Sequence, residues 1–318
     1  MKIVILDGYT LNPGDLDWTP LKKLGRCVIY ERTAVDQIVE RAHDADIVLT
    51  NKTVLAAETL EQLTAVKYIG VLATGVNVVD LQAAEKRNIV VTNVPGYSTD
   101  SVAQMVFALL LEMTQRVGLH DSLVKQGDWV GCEDFSFRAG SLMELAGKTI
   151  GIVGFGQIGR RVAQIAEAFG MKVLVHTANP EKYQAETKRE FIDIDKLFSI
   201  ADVISLNCPL TETTEDLVNT ARLARIKEGA LLVNTGRGQL INEEAVAEAL
   251  EDGYLGGYAT DVLSEEPPDE DNPLLAAPNC YMTPHIAWAT VEARQRLLQI
   301  VVENIIAFQN GTPQNRVA

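Results

Sequence analysis

Cysteine is scarce in this chain and scattered: Cys27, Cys132, Cys208 and Cys280 are the only four, with no Cys-x-x-Cys pair and no histidine beside them. Such spacing argues against a structural zinc site and against a disulfide framework, and predicts reduced thiols. Long hydrophobic runs are missing too. No apolar stretch reaches the ~20 residues that a membrane span requires, so no membrane partner is expected. The opening Met1-Lys2-Ile3-Val4-Ile5-Leu6-Asp7 reads directly as a strand without signal-peptide architecture, which predicts a cytoplasmic protein. Positive charge is in the minority, with 28 Lys and Arg against 43 Asp and Glu, a net charge of −15 and no basic cluster, so no nucleic-acid partner is expected. There is no short-period repeat and no low-complexity tract. What remains is an ordinary globular composition, 47% hydrophobic and 22% charged over 318 residues, which is long enough for two domains.

Short apolar runs at residues 2–6, 27–30, 47–50, 68–72 and 89–92 alternate with helical spacing, as over 35–43 and 81–87. This alternation predicts a parallel sheet covered by helices. A long apolar helix over 101–115 follows, then an aperiodic stretch with glycines and aromatics at 127–140 that reads as an irregular arm. The alternation restarts at 149–153 and continues through 172–175, 203–206, 230–234 and 258–261, with a helix over 242–251 among the connections. The fold class is therefore α/β, with two doubly wound parallel-sheet units and an expected cleft between them where a cofactor and a small substrate meet. A final helix over 290–309 is expected to return to the first unit. The division is then a discontinuous substrate domain, 1–98 with 289–318, and a dinucleotide-binding domain, 99–288.

The most informative segment is Thr149-Ile150-Gly151-Ile152-Val153-Gly154-Phe155-Gly156-Gln157-Ile158-Gly159, a β-rich run that passes through Gly-x-Gly-x-x-Gly into helical spacing. In that context Gly154 allows a tight turn, Gly156 lets the backbone approach a pyrophosphate, and Gly159 lets the helix pack close to its strand. The anion is left at the helix N-terminus beside the Gln157 and Ile158 backbone. A nicotinamide dinucleotide is the expected cofactor.

Three further segments each place a polar residue just beyond a predicted strand: Asn234-Thr235-Gly236-Arg237-Gly238, Asp261-Val262-Leu263-Ser264-Glu265-Glu266-Pro267 and Thr283-Pro284-His285-Ile286. Singly, each polar residue reads as an ordinary loop side chain. Together, in this order behind a dinucleotide fingerprint, they form a constellation. The sequence here resembles the D-isomer-specific 2-hydroxyacid dehydrogenases over essentially its whole length, and most of all the glycerate dehydrogenase and hydroxypyruvate reductase branch. The resemblance implies a flavodoxin-like substrate domain, a Rossmann domain and a catalytic set of Arg237, Glu266 and His285. The chemistry suits those residue types. Arg237 is a permanently charged planar fork for a carboxylate and ketone. His285 can exchange a proton near neutral pH, and Glu266 on its other ring nitrogen would fix the ring's orientation.

The same resemblance implies that the backbone of Thr74-Gly75 binds the substrate carboxylate, although that glycine could equally be only a turn former. Lys52 ends a strand of the same sheet and could reach the substrate, or could be a solvated surface lysine. Further cofactor contacts implied are the Cys208-Pro209 turn, Thr235-Gly236, and Asp261 toward the nicotinamide carboxamide, unless Asp261 caps a turn. Two places depart from the family pattern. Where an acid usually holds the adenosine ribose, this chain reads His176-Thr177-Ala178-Asn179, which gives NAD or NADP with a lean toward NADP or dual use. Asn207 stands where many relatives carry histidine.

The expected activity is hydride transfer between NAD(P) and a small D-2-hydroxy or 2-oxo acid, foremost hydroxypyruvate or glyoxylate. D-3-phosphoglycerate and D-lactate dehydrogenases are the enzymatic alternatives; the first is weakened by the lack of a regulatory extension and of a basic cluster beyond Arg237. A dinucleotide-sensing, corepressor-like scaffold is the alternative of another class, and has no chemical need for all three of Arg237, Glu266 and His285. The family implies a homodimer, for which Trp129, Phe135 and Phe137 offer aromatic anchors. Trp288 reads as either a cleft wall or a core residue.

Overall fold

The computed structural model describes residues 1–183 and 189–318 and divides into two compact units, Met1–Ser98 with Trp288–Ala318, and Thr99–Ala287. In the first unit, β1 (Lys2–Ile5), β2 (Arg26–Ile29), β3 (Ile47–Thr50), β4 (Tyr68–Val71) and β5 (Val90–Thr92) make a sheet of order β2-β1-β3-β4-β5 in which every pair is parallel. The central strands β3 and β4 are buried at every position, whereas edge strand β2 has no fully buried residue. This is why the inner strands read as unbroken apolar runs: both faces are covered. The connecting helices are short: α1 (Gly8–Leu11), α2 (Thr19–Lys22), α3 (Ile38–Ala42), α4 (Ala57–Gln62) and α5 (Leu81–Lys86). Helices of this length are held by packing rather than by propensity. The helix expected over 35–43 begins as a 3-10 turn, Val35–Gln37, before continuing as α3.

The second unit opens with α6 (Thr99–Gln115), most of whose apolar side chains enter the core, and α7 (Val117–Gln126), which buries none. They part at Arg116, whose φ of 51° lies in the left-handed region. Among the described residues no single helix is long and apolar enough to cross a membrane. After α7 the chain is irregular as its composition predicts, held by the Trp129 indole donating to Phe135 O (2.9 Å) and by the Ala139 amide donating to His120 Nε2 (3.1 Å). His120 is thus a structural residue.

There follow β6 (Thr149–Val153), α8 (Gln157–Ala168), β7 (Lys172–His176), β8 (Glu190–Phe191), α9 (Ile194–Ile200), β9 (Val203–Leu206), α10 (Thr220–Leu223), β10 (Leu231–Asn234), α11 (Glu243–Glu251), β11 (Gly257–Thr260) and β12 (Cys280–Met282). The seven strands are all parallel, in the order β12-β11-β10-β9-β6-β7-β8. Two short, partly exposed edge strands are absent from the apolar runs given above: β8, and β12, which fills the place of the strand expected just before Thr283. Neighbouring residues fall into different clusters, Val203 and Val233 in one, Ile204 and Leu232 in the other, so the two cores occupy opposite faces of the sheet.

The last helix, α12 (Val291–Gln309), belongs to the first unit. Ala293, Leu297, Val301 and Ile305, spaced by four, pack with Ile3, Ile5, Leu49 and Tyr68 in one core. Arg294 of the same helix is only 6% exposed, and forms a double hydrogen bond with Asp15 (2.7 and 2.6 Å) while donating to Ala289 O and Leu11 O. Trp288, assigned above to the dinucleotide-binding segment, packs instead against this first-unit core.

Candidate active site and dinucleotide cradle

In both units the candidate residues sit just beyond the carboxyl ends of parallel strands, where open α/β sheets bind ligands. In the second unit Gly154 follows β6 with φ +92°, and a Cβ there would lie 2.5 Å from Cys208 N, so the turn after β6 and the Cys208-Pro209 turn after β9 touch backbone to backbone. A Cβ on Gly159 would lie 2.1 Å from Gly154 O, which ties the first turn of α8 to the same place. Gly156 differs: nothing lies within 4 Å of its Cβ position, and no side chain caps α8 there. Open space in front of the amides of Gln157, Ile158 and Gly159 is what a pyrophosphate needs.

A second observation fits a bound dinucleotide. Asn207 donates to Ser205 O (3.1 Å) and Ser205 Oγ (3.0 Å), which leaves its buried Oδ1 without a hydrogen-bond partner. Beside it, burial pushes the Cys208 thiol up to about 11, so it stays protonated. At the end of β7, where the adenosine ribose is expected, His176 is half-buried and its Nδ1 faces Ile192 O at 3.1 Å. The neighbouring Asp193 carboxylate caps α9 by accepting from the Asp195 and Lys196 amides; these bonds hold it below the usual aspartate range, with a smaller contribution from His176.

Arg237 is exposed on the turn after β10. Buried Asn234 closes that turn, accepting from Gly236 N (3.0 Å) and donating to Arg237 O (2.8 Å), while the guanidinium donates to Gly236 O (2.7 Å). A Cβ on Gly238 would meet Leu263 C at 2.0 Å, so the arginine turn is pressed against the loop that carries Glu266. That loop is fixed at Ser264, which donates to Glu243 Oε1 (2.7 Å) and accepts from Gln239 Nε2 (2.8 Å). The Asn234-x-Gly turn is a legible Asx signature; the role of Glu243, a helix-start acid, shows only in three dimensions.

Glu266 and His285, separated by 19 residues, meet at 2.6 Å between Oε2 and Nδ1, both partly exposed. The carboxylate only accepts, so Nδ1 carries the hydrogen and Nε2 is the nitrogen left to exchange a proton. His285 itself has φ 53°, a left-handed conformation unfavourable for a residue with a Cβ. The turn is held there by Asp261, 1% exposed, which accepts from Thr283 Oγ1 (2.6 Å), Ile286 N (2.8 Å) and Ala287 N (2.7 Å). Burial raises its carboxyl above the usual aspartate range, although these hydrogen bonds oppose the shift. Asp261 thus acts as a turn clamp, the alternative role considered above, with one lone-pair direction to spare for a carboxamide.

In the first unit Thr74 is exposed after β4, its hydroxyl donating to Val94 O (2.8 Å) and its carbonyl accepting from Asn93 Nδ2 (2.8 Å), and Gly75 follows half-buried. Lys52 is exposed after β3, on a turn whose backbone is bound by Asp7. The structure therefore joins Glu266 to His285 directly and sets Arg237 on the adjoining turn, while Thr74, Gly75 and Lys52 share the carboxyl edge of the other sheet. Asp7, Asn234 and Glu243 are supporting residues that sequence reasoning missed.

Comparison with known proteins identifies the family and the fold. Residues 107–287 match the family model "D-isomer specific 2-hydroxyacid dehydrogenase, NAD binding domain". The chain is 45% identical to a hydroxypyruvate reductase of Blautia hydrogenotrophica, covering 100% of this chain and 99% of the relative. Its fold matches an acyclic imino acid reductase (Bsp5) solved with NADPH and D-Arg, at TM-score 0.88 and 29% identity over 100% of both chains. It also matches the NAD-dependent formate dehydrogenase of Staphylococcus aureus solved with NAD, at TM-score 0.83 and 29% identity, covering 100% of this chain and 99% of that one. A cradle for a dinucleotide, an arginine turn and a carboxylate-oriented histidine, matched in sequence over this whole segment, have one reading: the chain belongs to the D-isomer specific 2-hydroxyacid dehydrogenase family.

Proposed function

We propose that this protein is an NAD(P)-dependent reductase of small 2-oxo acids, with hydroxypyruvate or glyoxylate as substrate and D-glycerate or glycolate as product, running in reverse as a D-glycerate dehydrogenase. The observation that carries this reading is the Glu266–His285 hydrogen bond, which leaves Nε2 to exchange a proton. A nicotinamide, when bound, would supply the hydride for the ketone carbon. Arg237 holds the carboxylate and draws electron density toward the ketone oxygen. His285 delivers a proton from Nε2 to that oxygen as it gains charge, and takes it back in the oxidation direction. Glu266 keeps the ring aligned through the cycle. The amides of Thr74 and Gly75 receive the substrate carboxylate, and Lys52 contributes a further cation.

The residues that would hold the cofactor are Gly154, Gly156, Gln157, Ile158, Gly159, the Cys208-Pro209 turn and Thr235-Gly236, and Asp261 would receive the carboxamide. His176 and Thr177 face the adenosine ribose. The absence of a carboxylate at the end of β7 favours NADP use or dual specificity. The protein acts as a cytoplasmic homodimer: α7 buries no residue, and Val130 and Phe135 are each 92% exposed, as expected of apolar anchors covered by a second copy.

Purified protein, assayed by loss of reduced-nicotinamide absorbance with NADH and NADPH in parallel, tests the reading. Rapid turnover of hydroxypyruvate or glyoxylate, collapsing in His285→Ala, is expected. Silence with every 2-oxo acid and both cofactors would sink the assignment.

A further inference from the structure

The turn that carries Lys52 is built with unusual internal bonding for a segment whose exposed member is one lysine. Asp7, 8% exposed, accepts from three consecutive amides: Asn51 N at 2.8 Å on Oδ1, and Lys52 N at 2.6 Å and Thr53 N at 2.7 Å on Oδ2. Two side chains tighten it further. Thr50 Oγ1 donates to Thr53 O (2.7 Å), and Asn51 Nδ2 donates to Leu72 O (2.7 Å). Thr50 and Asn51 are 0% and 4% exposed, whereas Lys52 projects to solvent and makes no ion pair with any described residue.

Burying a carboxylate is costly and is offset only when its oxygens find donors. A solvated lysine needs no such support, because water accepts an ammonium in any position. A rigid frame matters when the group must meet a ligand at a set distance and angle. The frame's location points the same way. Asp7, Lys52 and Thr74 follow β1, β3 and β4, which are neighbours in the sheet, and the Asn51–Leu72 bond ties the lysine turn to the exit of β4 just before Thr74-Gly75.

We propose that Asp7 is a positioning residue for substrate selection: by clamping the Asn51–Thr53 amides it aims the Lys52 ammonium at the C3 substituent of a 2-oxo acid whose carboxylate rests on Thr74-Gly75. This rests on the function proposed above and deepens it. An ammonium is three hydrogen-bond donors with no apolar face. It hydrogen-bonds a C3 hydroxyl, as in hydroxypyruvate, and gains nothing from the methyl of pyruvate. The selected class is therefore 2-oxo acids with an oxygen at C3.

The test is the ratio of kcat/KM for hydroxypyruvate to that for pyruvate, measured in the wild type, Lys52→Met, Asp7→Asn and the double variant. An asparagine at position 7 turns an NH2 toward at least one of the three amides, so the clamp opens. The ratio is expected to fall about tenfold in each single variant, through a higher KM for hydroxypyruvate, and to fall no further in the double variant. Thr50→Val loosens the same turn without touching the buried charge, and is expected to lower the ratio by a smaller factor if Asp7→Asn fails to fold. Losses that strike both substrates equally, or that multiply in the double variant, would overturn the positioning role while the reductase assignment stands. A wild type inactive on both substrates would overturn the assignment and this inference with it.

Discussion

Two buried aspartates, one in each unit, do the same structural job at the carboxyl edge of a parallel sheet, and in the function proposed above they serve different parts of the chemistry. Asp7 follows β1 and binds three consecutive amides of a neighbouring turn; Asp261 follows β11 and binds a threonine hydroxyl and two amides of the turn after β12. The difference lies in what each turn presents. The Asp7 turn offers an exposed lysine with no ion pair among the described residues, whereas the Asp261 turn holds His285 at φ 53° with its ring already committed to Glu266. A left-handed histidine persists only where the surroundings over-determine it, so Asp261 works against backbone strain. Asp7 limits conformational freedom instead. Proton transfer tolerates little misplacement, and substrate preference tolerates more. The two clamps should therefore fail in different kinetic constants.

The largest effect belongs to the group that the second clamp serves. His285→Ala is expected to lower kcat/KM by about 10³-fold, as loss of a general acid does, with dinucleotide affinity by fluorescence titration unchanged within a small factor. Glu266→Gln, which still reaches Nδ1 but no longer holds it as a charged acceptor, should lower kcat by about 10²-fold. Wild-type rates in His285→Ala would remove the reason for the Asp261 clamp. Asp261→Asn comes next. Its amide nitrogen turns toward the Ala287 amide or the Thr283 and Ile286 donors, the turn shifts, and kcat should fall about 10- to 100-fold for every 2-oxo acid. Asp7→Asn is expected to alter selectivity rather than kcat; matching profiles for the two asparagine variants would break the contrast.

The glycines sharpen it further, because they separate a strained backbone from an open one. Gly159→Ala drives a methyl group into Gly154 O and is expected to cost about 2 kcal/mol or more in urea unfolding. Gly156→Ala meets nothing within 4 Å and should unfold like the wild type, yet raise the Kd for NAD(P)H about tenfold or more by filling the pyrophosphate's place. A normal Kd in a well-folded Gly156→Ala would mean that the phosphates lie elsewhere.

Much of this was legible in the sequence because parallel sheets covered on both faces write themselves as apolar runs, and because Gly154-x-Gly156-x-x-Gly159 sits between such a run and a helix. Arg237, Glu266 and His285 were legible as an ordered set, and the resemblance implied the Glu266–His285 contact; what the sequence could not show is how the bond is made, across 19 residues and through β11 and β12 lying side by side. The edge strand β8 was invisible because neither of its two residues, Glu190 and Phe191, is fully buried. Asp7 was hidden for a different reason. An acid after a strand reads as solvated loop, and only the 44 to 46 residues between it and its three amides, closed by the sheet, turn it into a clamp. Asp261 was read as a nicotinamide contact or a turn cap, because a sequence cannot show that the Thr283 hydroxyl and the Ile286 and Ala287 amides already occupy its oxygens.

The smallest expected effect tests whether Asp261's three donors fully offset its burial. Its carboxyl is raised above the ordinary aspartate value of 3.8, chiefly by burial. The native state therefore binds that proton more tightly than the unfolded chain does. Between the raised folded value and 3.8 the native protein holds a proton that the unfolded chain has lost, so this group's contribution to stability is greatest below 3.8 and is lost as pH rises through the folded value. Asp261→Asn cannot titrate, and the other carboxylates cancel when the two proteins are compared. As pH falls from about 7 toward about 4, the stability difference should move in favour of the wild type by up to about 1.4 kcal/mol per pH unit inside that window. Urea midpoints of both proteins across the range measure it. Parallel curves would show that the Thr283, Ile286 and Ala287 donors cancel the cost of burying the charge, and that the clamp on the catalytic turn carries no electrostatic debt.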